Sequence, residues 1–478
     1  MNKNQTSMNK TLSFDFDKEI HEECGVFACY NIPNPASITY YGLHSLQHRG
    51  QEASGIAVGN EQEISLIKGA GLTVDIFERK DLDELDAKGK SAIGHVRYAT
   101  AGGQEYENIQ PISCLSSIGP IAVVHNGQIV NDVELKKELE EKGAIFQGTS
   151  DSEIILHLIL QASGIMEERI AKAARRLEGG FAFCVLHDQS ITAVRDPHGL
   201  KPMVWTSFQD GYLISSESCA FEVMNLYDAK DVLPGQMITF DRGLVKKSMY
   251  APDQSRHLCS MEYIYFARPD SVMDGLNVHA FRKECGSRLA LADKDLKADL
   301  VLGVPDSSLS AAMGYAEESG LPLETGLVKN PFVTRSFIQP TQALRDRAVR
   351  LKLSPVEDVL KGQRVVMIDD SIVRGTTSRR IVSLLREAGA KEVHVRIASP
   401  AMVNPCFYGV DTSTKKELIA SGNTTEKICE LIGADSLKFM EYEDMEHCAK
   451  GQGLCMACFG QEYCTPLYSH QKALEETD

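Results

Sequence analysis

The stretch VVMIDDSIVRGTTSRR, residues 365–380, decides the fold of the carboxyl-terminal half of the chain. Its first four residues, Val365 to Ile368, form a short apolar run, which is typical of a buried parallel strand. Asp369 and Asp370 follow where that strand ends, and a polar loop then leads into an amphipathic helical pattern. Open α/β sheets bind ligands at the carboxyl ends of their strands. The stretch therefore predicts an α/β domain with a ligand site at this strand end.

The loop after the two acids has the composition of a phosphate site. Gly375 and three hydroxyl residues stand at the predicted helix start, where backbone N–H groups and the helix dipole favour an anion. Paired carboxylates can take the two hydroxyls of a ribose, directly or through Mg²⁺. Two acids that merely face solvent are the simpler interpretation of an Asp-Asp pair alone. The sequence has no G-x-x-x-x-G-K-[ST] pattern, so this loop is not a P-loop.

The whole string resembles the fingerprint with which type I phosphoribosyltransferases bind phosphoribosyl pyrophosphate (PRPP). The resemblance implies PRPP contacts from the strand end, the loop and one lysine upstream, namely Asp369, Asp370, Ser371, Arg374, Gly375, Thr376, Thr377, Ser378 and Lys352. Residues 304–308 (VPDSS) end another predicted strand and resemble the pyrophosphate loop of that family. The resemblance makes Ser307, Asp369 and Asp370 ligands of the Mg²⁺ that accompanies PRPP. A helix N-cap is the alternative interpretation of Ser307.

Residues 328–353 are locally basic in an acidic chain. They contain two prolines and six Lys or Arg residues, which are Lys329, Arg335, Arg345, Arg347, Arg350 and Lys352. A local positive excess favours an anionic partner. The segment resembles the flexible loop that closes over PRPP in the same family, and a solvated basic loop is the alternative.

Two secondary-structure patterns divide the chain. From residue 24 to about 248, short predicted strands (64–67, 91–96, 121–125, 181–187, 191–194 and 212–215) mix with helices (36–47, 133–142, 152–161 and 165–177), which indicates an α+β domain with antiparallel sheets. After a connector at 249–256, strands at 300–304, 322–327, 365–368 and 393–397 alternate with helices, which predicts a parallel, doubly wound sheet. We expect domains at residues 24–255 and 256–478.

Five segments of the first domain resemble, in order, the glutaminase domain of the N-terminal-nucleophile (class II) amidotransferases. They are residues 24–27 (CGVF), 42–52 (GLHSLQHRGQE), 94–100 (GHVRYAT), 125–127 (HNG) and 150–153 (SDSE). The resemblance implies αββα layers.

The same resemblance assigns roles to five residues. Cys24 would be the nucleophile, Arg97 would bind the α-carboxylate of glutamine, and Asp151 would hold its α-amino group. The Asn126 side chain and the Gly127 N–H would form the oxyanion hole. A surface ion pair for Arg97 and Asp151, and a hairpin turn at Asn126-Gly127, are the alternative interpretations.

The thiol of Cys24 needs a base. A free thiol has a pKa of about 8.5, whereas an α-amino group titrates at about 7.7–8.0. If residues 1–23 are a propeptide that is removed on maturation, Cys24 carries both groups and its amine can accept the thiol proton. Histidine bases at His44, His48 or His95 are then not needed.

Four of the cysteines suggest a metal centre in addition to the two substrate sites. Cys259, Cys406, Cys455 and Cys458, the last two in a C-x-x-C, offer a four-thiolate site that suits [4Fe–4S] or structural zinc equally well. Resemblance to the cluster-bearing branch of the family favours [4Fe–4S]. Cys448 and Cys464 flank the C-x-x-C and leave the fourth ligand open. The simplest interpretation of the remaining thiols is that they are buried: Cys29, Cys114, Cys184, Cys219, Cys285 and Cys429.

Composition excludes several classes of protein. The net charge of −16 argues against binding to nucleic acid or an anionic membrane. No run of about 18 apolar residues is present, and the first 23 residues lack the apolar core of a signal peptide. We therefore expect a cytoplasmic protein whose 13 cysteines do not form a disulfide framework.

Together the two halves resemble the family of glutamine PRPP amidotransferases. The resemblance implies that ammonia from glutamine displaces pyrophosphate from C1 of PRPP to give 5-phosphoribosylamine, the first committed step of purine synthesis. It also implies purine nucleotide effectors and a homotetramer. The alternatives are a class II glutaminase that serves another acceptor, which would lack the PRPP fingerprint, and a non-enzymatic PRPP-sensing regulator that binds nucleic acid.

Overall fold

The amino-terminal half contains thirteen strands within the part of the chain that the computed structural model describes, residues 24–98, 105–252, 255–330, 353–412 and 414–475. In chain order they are β1 Gly25–Tyr30, β2 Ala53–Gly59, β3 Ile64–Ala70, β4 Ser91–Arg97, β5 Ile112–Ser116, β6 Gly119–Ile129, β7 Gly179–His187, β8 Ser190–Arg195, β9 Val204–Phe208, β10 Gly211–Ser215, β11 Lys230–Asp231, β12 Gln236–Asp241 and β13 Leu244–Met249.

These strands form two stacked antiparallel sheets. One has the order β11-β9-β10-β1-β4-β2-β3 and the other the order β13-β12-β8-β7-β6-β5. An apolar layer fills the space between them, with Val26 and Ala28 of one sheet packing with Val124 and Ala182 of the other. The outer faces are covered by helices, so the central strand β1 is buried at all six positions. Its sequence GVFACY is accordingly apolar throughout and does not alternate.

Seven α-helices in the described residues of this half complete the αββα layers that the resemblance implies. The first sheet carries α1 Pro35–Ser45, α2 Thr73–Ile76, α3 Arg79–Asp86 and α7 Cys219–Glu222, and the second carries α4 Asp132–Glu141, α5 Ser152–Gln161 and α6 Met166–Ala174. All the strands and helices predicted for this half are present. The predicted strand at 121–125 is longer, because β6 continues to Ile129.

The carboxyl-terminal half has ten described strands and seven described α-helices. The strands are β14 Leu258–Cys259, β15 Val272–Met273, β16 Leu276–Asn277, β17 Leu300–Gly303, β18 Leu327–Lys329, β19 Leu353–Pro355, β20 Arg364–Asp369, β21 Glu392–Ile397, β22 Ser436–Phe439 and β23 Leu454–Cys455. The helices are α8 Val278–Leu291, α9 Leu309–Ser319, α10 Glu357–Leu360, α11 Thr376–Glu387, α12 Thr425–Ile432, α13 Tyr442–Cys448 and α14 Gln471–Glu475.

A parallel sheet in the order β17-β20-β21-β22 confirms the predicted α/β architecture. The parallel strand predicted at 322–327 is reduced to a single parallel bridge, between Leu323 and Val301, at the edge of the sheet next to β17. Most of this segment is exposed. Its last residue instead starts β18, which pairs antiparallel with β19 on the far side of residues 331–352. The short fourth strand β22 is not among the predicted strands.

Buried contacts join the two halves across the connector. The guanidinium of Arg195 donates two hydrogen bonds of 2.8 Å to the carboxylate of Asp274. Tyr250, within the connector, donates from its hydroxyl to the Arg195 carbonyl at 2.8 Å. None of the described helices has the length and apolar character that a membrane span requires.

Candidate active sites

Cys24 lines a small cavity in the amino-terminal half. It stands immediately before β1, half-buried, and its Sγ donates a hydrogen bond of 3.5 Å to the Tyr98 carbonyl. The cavity is also lined by Arg97, Gly127 and Asp151. The fold therefore brings a thiol, a guanidinium and a carboxylate, far apart in the sequence, to one pocket.

Arg97 and Asp151 are both buried, at 5% and 9% exposure, so their interpretation as a surface ion pair is wrong. Arg97 ends β4, and Asp151 precedes α5 with its Oδ2 accepting a 2.9 Å hydrogen bond from the Ile129 N–H. Burial raises the pKa of Asp151 to about 6. Among the described residues, the buried carboxylate lacks a nearby cation that would stabilise its negative charge. The ammonium group of a substrate would supply that positive charge.

Asn126 and Gly127 lie inside β6, opposite Ala182 and Phe181, so their interpretation as a hairpin turn is wrong. The Asn126 amide is buried, and no described residue hydrogen-bonds its Nδ2 or Oδ1. A buried amide without partners is costly, and an oxyanion on a substrate would accept from it. Gly127 has φ +136°, and a Cβ there would lie 2.0 Å from the Gly180 carbonyl oxygen, so the strands approach too closely for any side chain.

The other residues that line the cavity include His125 and Gln110. Burial lowers the pKa of His125 and of neighbouring His95 to about 3, so both imidazoles are neutral at pH 7 and too weak to take the thiol proton. Gln110 accepts from the His125 N–H at 2.6 Å and donates to its carbonyl at 3.1 Å. His125 was part of a recognised motif, whereas no sequence signal pointed to Gln110. His48 is engaged elsewhere, 2.8 Å from Glu217.

The second site lies at the carboxyl end of β20, where Asp369 and Asp370 are 7% and 8% exposed. The interpretation that these acids face solvent is therefore wrong. Ser308 donates to Asp369 at 3.2 Å, and Ser307 donates to Asp370. Burial raises the pKa of both carboxyls, and the neighbouring charge of Asp370 raises that of Asp369 further. A divalent cation would relieve this repulsion.

The loop after the acids leads into the helix N-terminus as predicted. Ser371 donates to Asp370 at 2.7 Å. Gly375 takes the left-handed conformation, φ +74°, at the N-cap of α11, without a side-chain capping bond. The helix begins with Thr376, Thr377 and Ser378, whose backbone N–H groups suit a phosphate. Of the other predicted contacts, Arg374 forms an ion pair with Glu417, and Lys352, with most of the basic segment, lies outside the described residues.

The predicted cysteine ligands also meet. Cys259 in β14 lies opposite Cys455 in β23 in a parallel pair. Burial raises the pKa of Cys458, and the nearby thiols of Cys406 and Cys455 raise it further. Cys464 lies close enough to raise the pKa of Cys455 in the same way, after burial. These thiols must lose their protons before they can bind a metal, and the positive charge of a bound metal centre favours that loss.

The flanking and remaining cysteines are distributed differently. Cys448 neighbours Cys285 instead, whose pKa it raises in addition to burial. Of the six thiols predicted to be buried, Cys29, Cys184, Cys219 and Cys285 are buried, whereas Cys114 and Cys429 are half-buried.

Known proteins match both halves of the chain. A glutamine amidotransferase domain model matches residues 95–223, and a phosphoribosyl transferase domain model matches residues 277–401. The amidophosphoribosyltransferase of Bacillus subtilis (strain 168) is 48% identical over 459 residues, which cover 94% of this chain and 96% of the relative. The chain belongs to the amidophosphoribosyltransferase family. The amidophosphoribosyltransferase of Staphylococcus aureus (strain MRSA252) is 45% identical over 461 residues, covering 95% and 93%.

Solved structures agree with this assignment. The glutamine PRPP amidotransferase from B. subtilis complexed with ADP and GMP is 47% identical, with a TM-score of 0.88 over 93% of this chain and 98% of that one. A structure described as the allosteric regulatory enzyme of purine biosynthesis is 48% identical, with a TM-score of 0.89 over 93% and 97%. The predicted family and the fold class of both domains are therefore confirmed.

Proposed function

We propose that the chain transfers ammonia from glutamine to C1 of PRPP, giving 5-phosphoribosylamine, glutamate and pyrophosphate. The observation that carries the proposal is the presence, in one chain, of a thiol pocket lined by a buried guanidinium and a buried carboxylate and of paired carboxylates at a strand end that leads into a helix N-terminus. The similarity of the whole chain to amidophosphoribosyltransferases supports it.

In the glutamine pocket, Arg97 would bind the α-carboxylate and Asp151 the α-ammonium group, which fixes the side-chain amide next to Cys24. The thiolate attacks the amide carbon, and the free α-amino group of Cys24 takes the thiol proton and passes it to the leaving ammonia. Asn126 and Gly127 donate to the oxygen that becomes negative. Water then cleaves the thioester and releases glutamate.

At the acceptor site, Asp369 and Asp370 would hold the ribose hydroxyls, while the first N–H groups of α11 bind the 5′-phosphate. Ser307, Asp369 and Asp370 are the proposed magnesium ligands, and bound Mg²⁺ would neutralise charge on the pyrophosphate. Ammonia forms the new C–N bond at C1 as the bond from C1 to the pyrophosphate oxygen breaks.

The cysteine group fits a [4Fe–4S] cluster held by Cys259, Cys406, Cys455 and Cys458, and we propose that role for it. The burial of the thiols and their proximity to one another suit a metal centre, and the resemblance to the cluster-bearing branch of the family favours a cluster over zinc. Such a cluster would tie β14 to β23 and would stabilise the fold, so the reaction has no step through it.

The proposal also covers maturation and regulation, for which the family resemblance is the support. Residues 1–23, which lie outside the described residues, would be removed to free the α-amino group of Cys24. Purine nucleotides would act as effectors, since the B. subtilis relative is described with ADP and GMP. A homotetramer, a cytoplasmic location and the domain bounds 24–255 and 256–478 stay predictions.

The Cys24→Ser variant tests the proposal. We expect wild-type protein to release pyrophosphate from PRPP when glutamine and Mg²⁺ are present, and the variant to lose this reaction but regain it with ammonium salts. Glutamate release without PRPP consumption would favour another acceptor, and no turnover with either nitrogen source would favour a PRPP sensor.

A further inference from the structure

A fully buried arginine links the nucleophile of one domain to the other domain. Arg49 follows α1 and is 0% exposed. Its Nε donates a 3.0 Å hydrogen bond to the carbonyl oxygen of Cys24. That carbonyl is bonded to the Cα that carries both the thiol and the α-amino group. The guanidinium therefore fixes the peptide next to the reacting atoms without touching the substrate.

The other nitrogens of Arg49 are bound by two buried glutamates. Nη1 donates to Glu217 at 2.6 Å and to Glu262 at 2.9 Å, and Nη2 donates to Glu262 at 2.6 Å. Burial tends to raise the pKa of Glu217, but the charges of His48 and Arg49 outweigh it and hold that pKa well below its usual value. The two-pronged contact with Glu262 sets the plane of the guanidinium. Since all these charges are buried, removing one of them would leave its partners uncompensated in the interior, which is strongly unfavourable.

Glu262 belongs to the carboxyl-terminal half and is 213 residues from Arg49. It begins a π-helical turn, Glu262–Phe266. Arg282 on α8 donates to two carbonyls in this region, those of Tyr263 at 2.6 Å and Ala267 at 2.8 Å. Arg282 also lines a small cavity together with Ser307 and Asp370 of the acceptor site. Cys24 is thus connected to the acceptor site by the polar contacts of Arg49, Glu262 and Arg282 and by the short turn that follows Glu262.

We propose that Arg49 and Glu262 are positioning residues, through which the acceptor domain controls the orientation of Cys24. Movement of the turn when PRPP binds would move the Glu262 carboxylate and, with it, the guanidinium that holds the Cys24 carbonyl. The inference rests on the proposed function, and it assigns the coupling between the two reactions to one buried ion pair.

The Glu262→Gln variant tests this proposal, because an amide keeps the shape of the side chain but removes its charge and one acceptor. Asp274→Asn is the matched control: the Arg195–Asp274 pair is also buried, two-pronged and between the domains, and none of its hydrogen bonds reaches Cys24. The readout is the rate at which a glutamine-like electrophile, 6-diazo-5-oxo-norleucine, alkylates Cys24, measured with and without PRPP and Mg²⁺. Glutamate release is measured in parallel.

We expect Glu262→Gln to lower the PRPP-induced increase in both rates by roughly 2- to 30-fold relative to wild type, and Asp274→Asn to retain it. Ammonia-dependent pyrophosphate release should persist in both variants, which checks that the acceptor domain is folded. Arg49→Lys is the second variant: it keeps the charge but cannot bond the Cys24 carbonyl and both prongs of Glu262, so it should show the same loss.

Two results would overturn the inference. One is an unchanged PRPP response in Glu262→Gln or Arg49→Lys, and the other is an equal loss in Asp274→Asn, which would mean that any break in the interface acts alike. A wild-type protein without PRPP-dependent turnover would instead overturn the proposed function.

Discussion

Replacing Asp151 by Asn should stabilise the protein at neutral pH while weakening its reaction with glutamine. The carboxyl is buried, and its pKa is raised from 3.8 to about 6. Because the folded state binds the proton more tightly than the unfolded state, stability is lost as the pH rises from about 4 to 6. The full penalty is about 3 kcal/mol, at about 1.36 kcal/mol for each pH unit between the two pKa values.

The sign and size of the effect can be measured by urea unfolding. Trp205 is the single tryptophan of the chain and lies in the core between the two sheets, so its fluorescence reports the half that contains Asp151. About half of the penalty is present at pH 5 and all of it at pH 8. The stability advantage of Asp151→Asn over wild type should therefore grow by about 1.5 kcal/mol between these pH values.

Asp299 provides the control, because the fold lowers the pKa of its carboxyl instead of raising it. The Arg364 side chain lowers the pKa of Asp299 to about 2 through direct hydrogen bonds, so Asp299→Asn should be less stable than wild type at both pH values. Removing the partner of a buried ammonium group costs about 2–5 kcal/mol, so glutamine-dependent kcat/KM should fall by at least about 30-fold in Asp151→Asn. A stability difference that does not change with pH, or an unchanged kcat/KM, would refute the reasoning.

Three other predictions concern the acceptor site, the cysteines and maturation. Asp370→Asn should raise the Mg²⁺ concentration needed for PRPP turnover by at least about 10-fold, while alkylation of Cys24 without PRPP stays the same; an unchanged Mg²⁺ requirement would exclude Asp370 as a ligand. Anaerobically purified wild type should be brown with about four irons per chain, and Cys458→Ser should lose iron whereas Cys464→Ser keeps it; colourless protein with one zinc would contradict the cluster. Intact-mass analysis of active protein should show Cys24 as the first residue, and full activity with residues 1–23 attached would contradict the proposed base.

The sequence predicted those parts of the sites that lie at the ends of secondary-structure elements. Asp369 and Asp370 follow a recognisable buried strand, and the parallel sheet places them where ligands bind. The local sequence does not show that Asn126 and Gly127 lie inside a strand, because an Asn-Gly pair is also typical of hairpin turns. Pairing with β7 decided between the two, and that contact lies more than fifty residues away in the sequence.

Long-range polar contacts could not be predicted at all. Arg49 and Glu262 are 213 residues apart, and nothing in either local sequence indicates that the two charges meet in the interior. Gln110 contacts His125 through backbone groups that carry no sequence pattern. The strand predicted at 322–327 is shortened to one parallel bridge, at the edge of the sheet, and its position at that edge is set by the packing of distant residues and not by its own sequence.

The most direct test of the central claim is to measure glutamate and pyrophosphate in the same anaerobic reaction, with glutamine and Mg²⁺ present and PRPP either added or omitted. We predict that glutamate release rises strongly when PRPP is added and that one pyrophosphate forms for each glutamate. Glutamate release at the same rate without PRPP, or with no matching pyrophosphate, would contradict the claim that the two sites of this chain carry out one reaction.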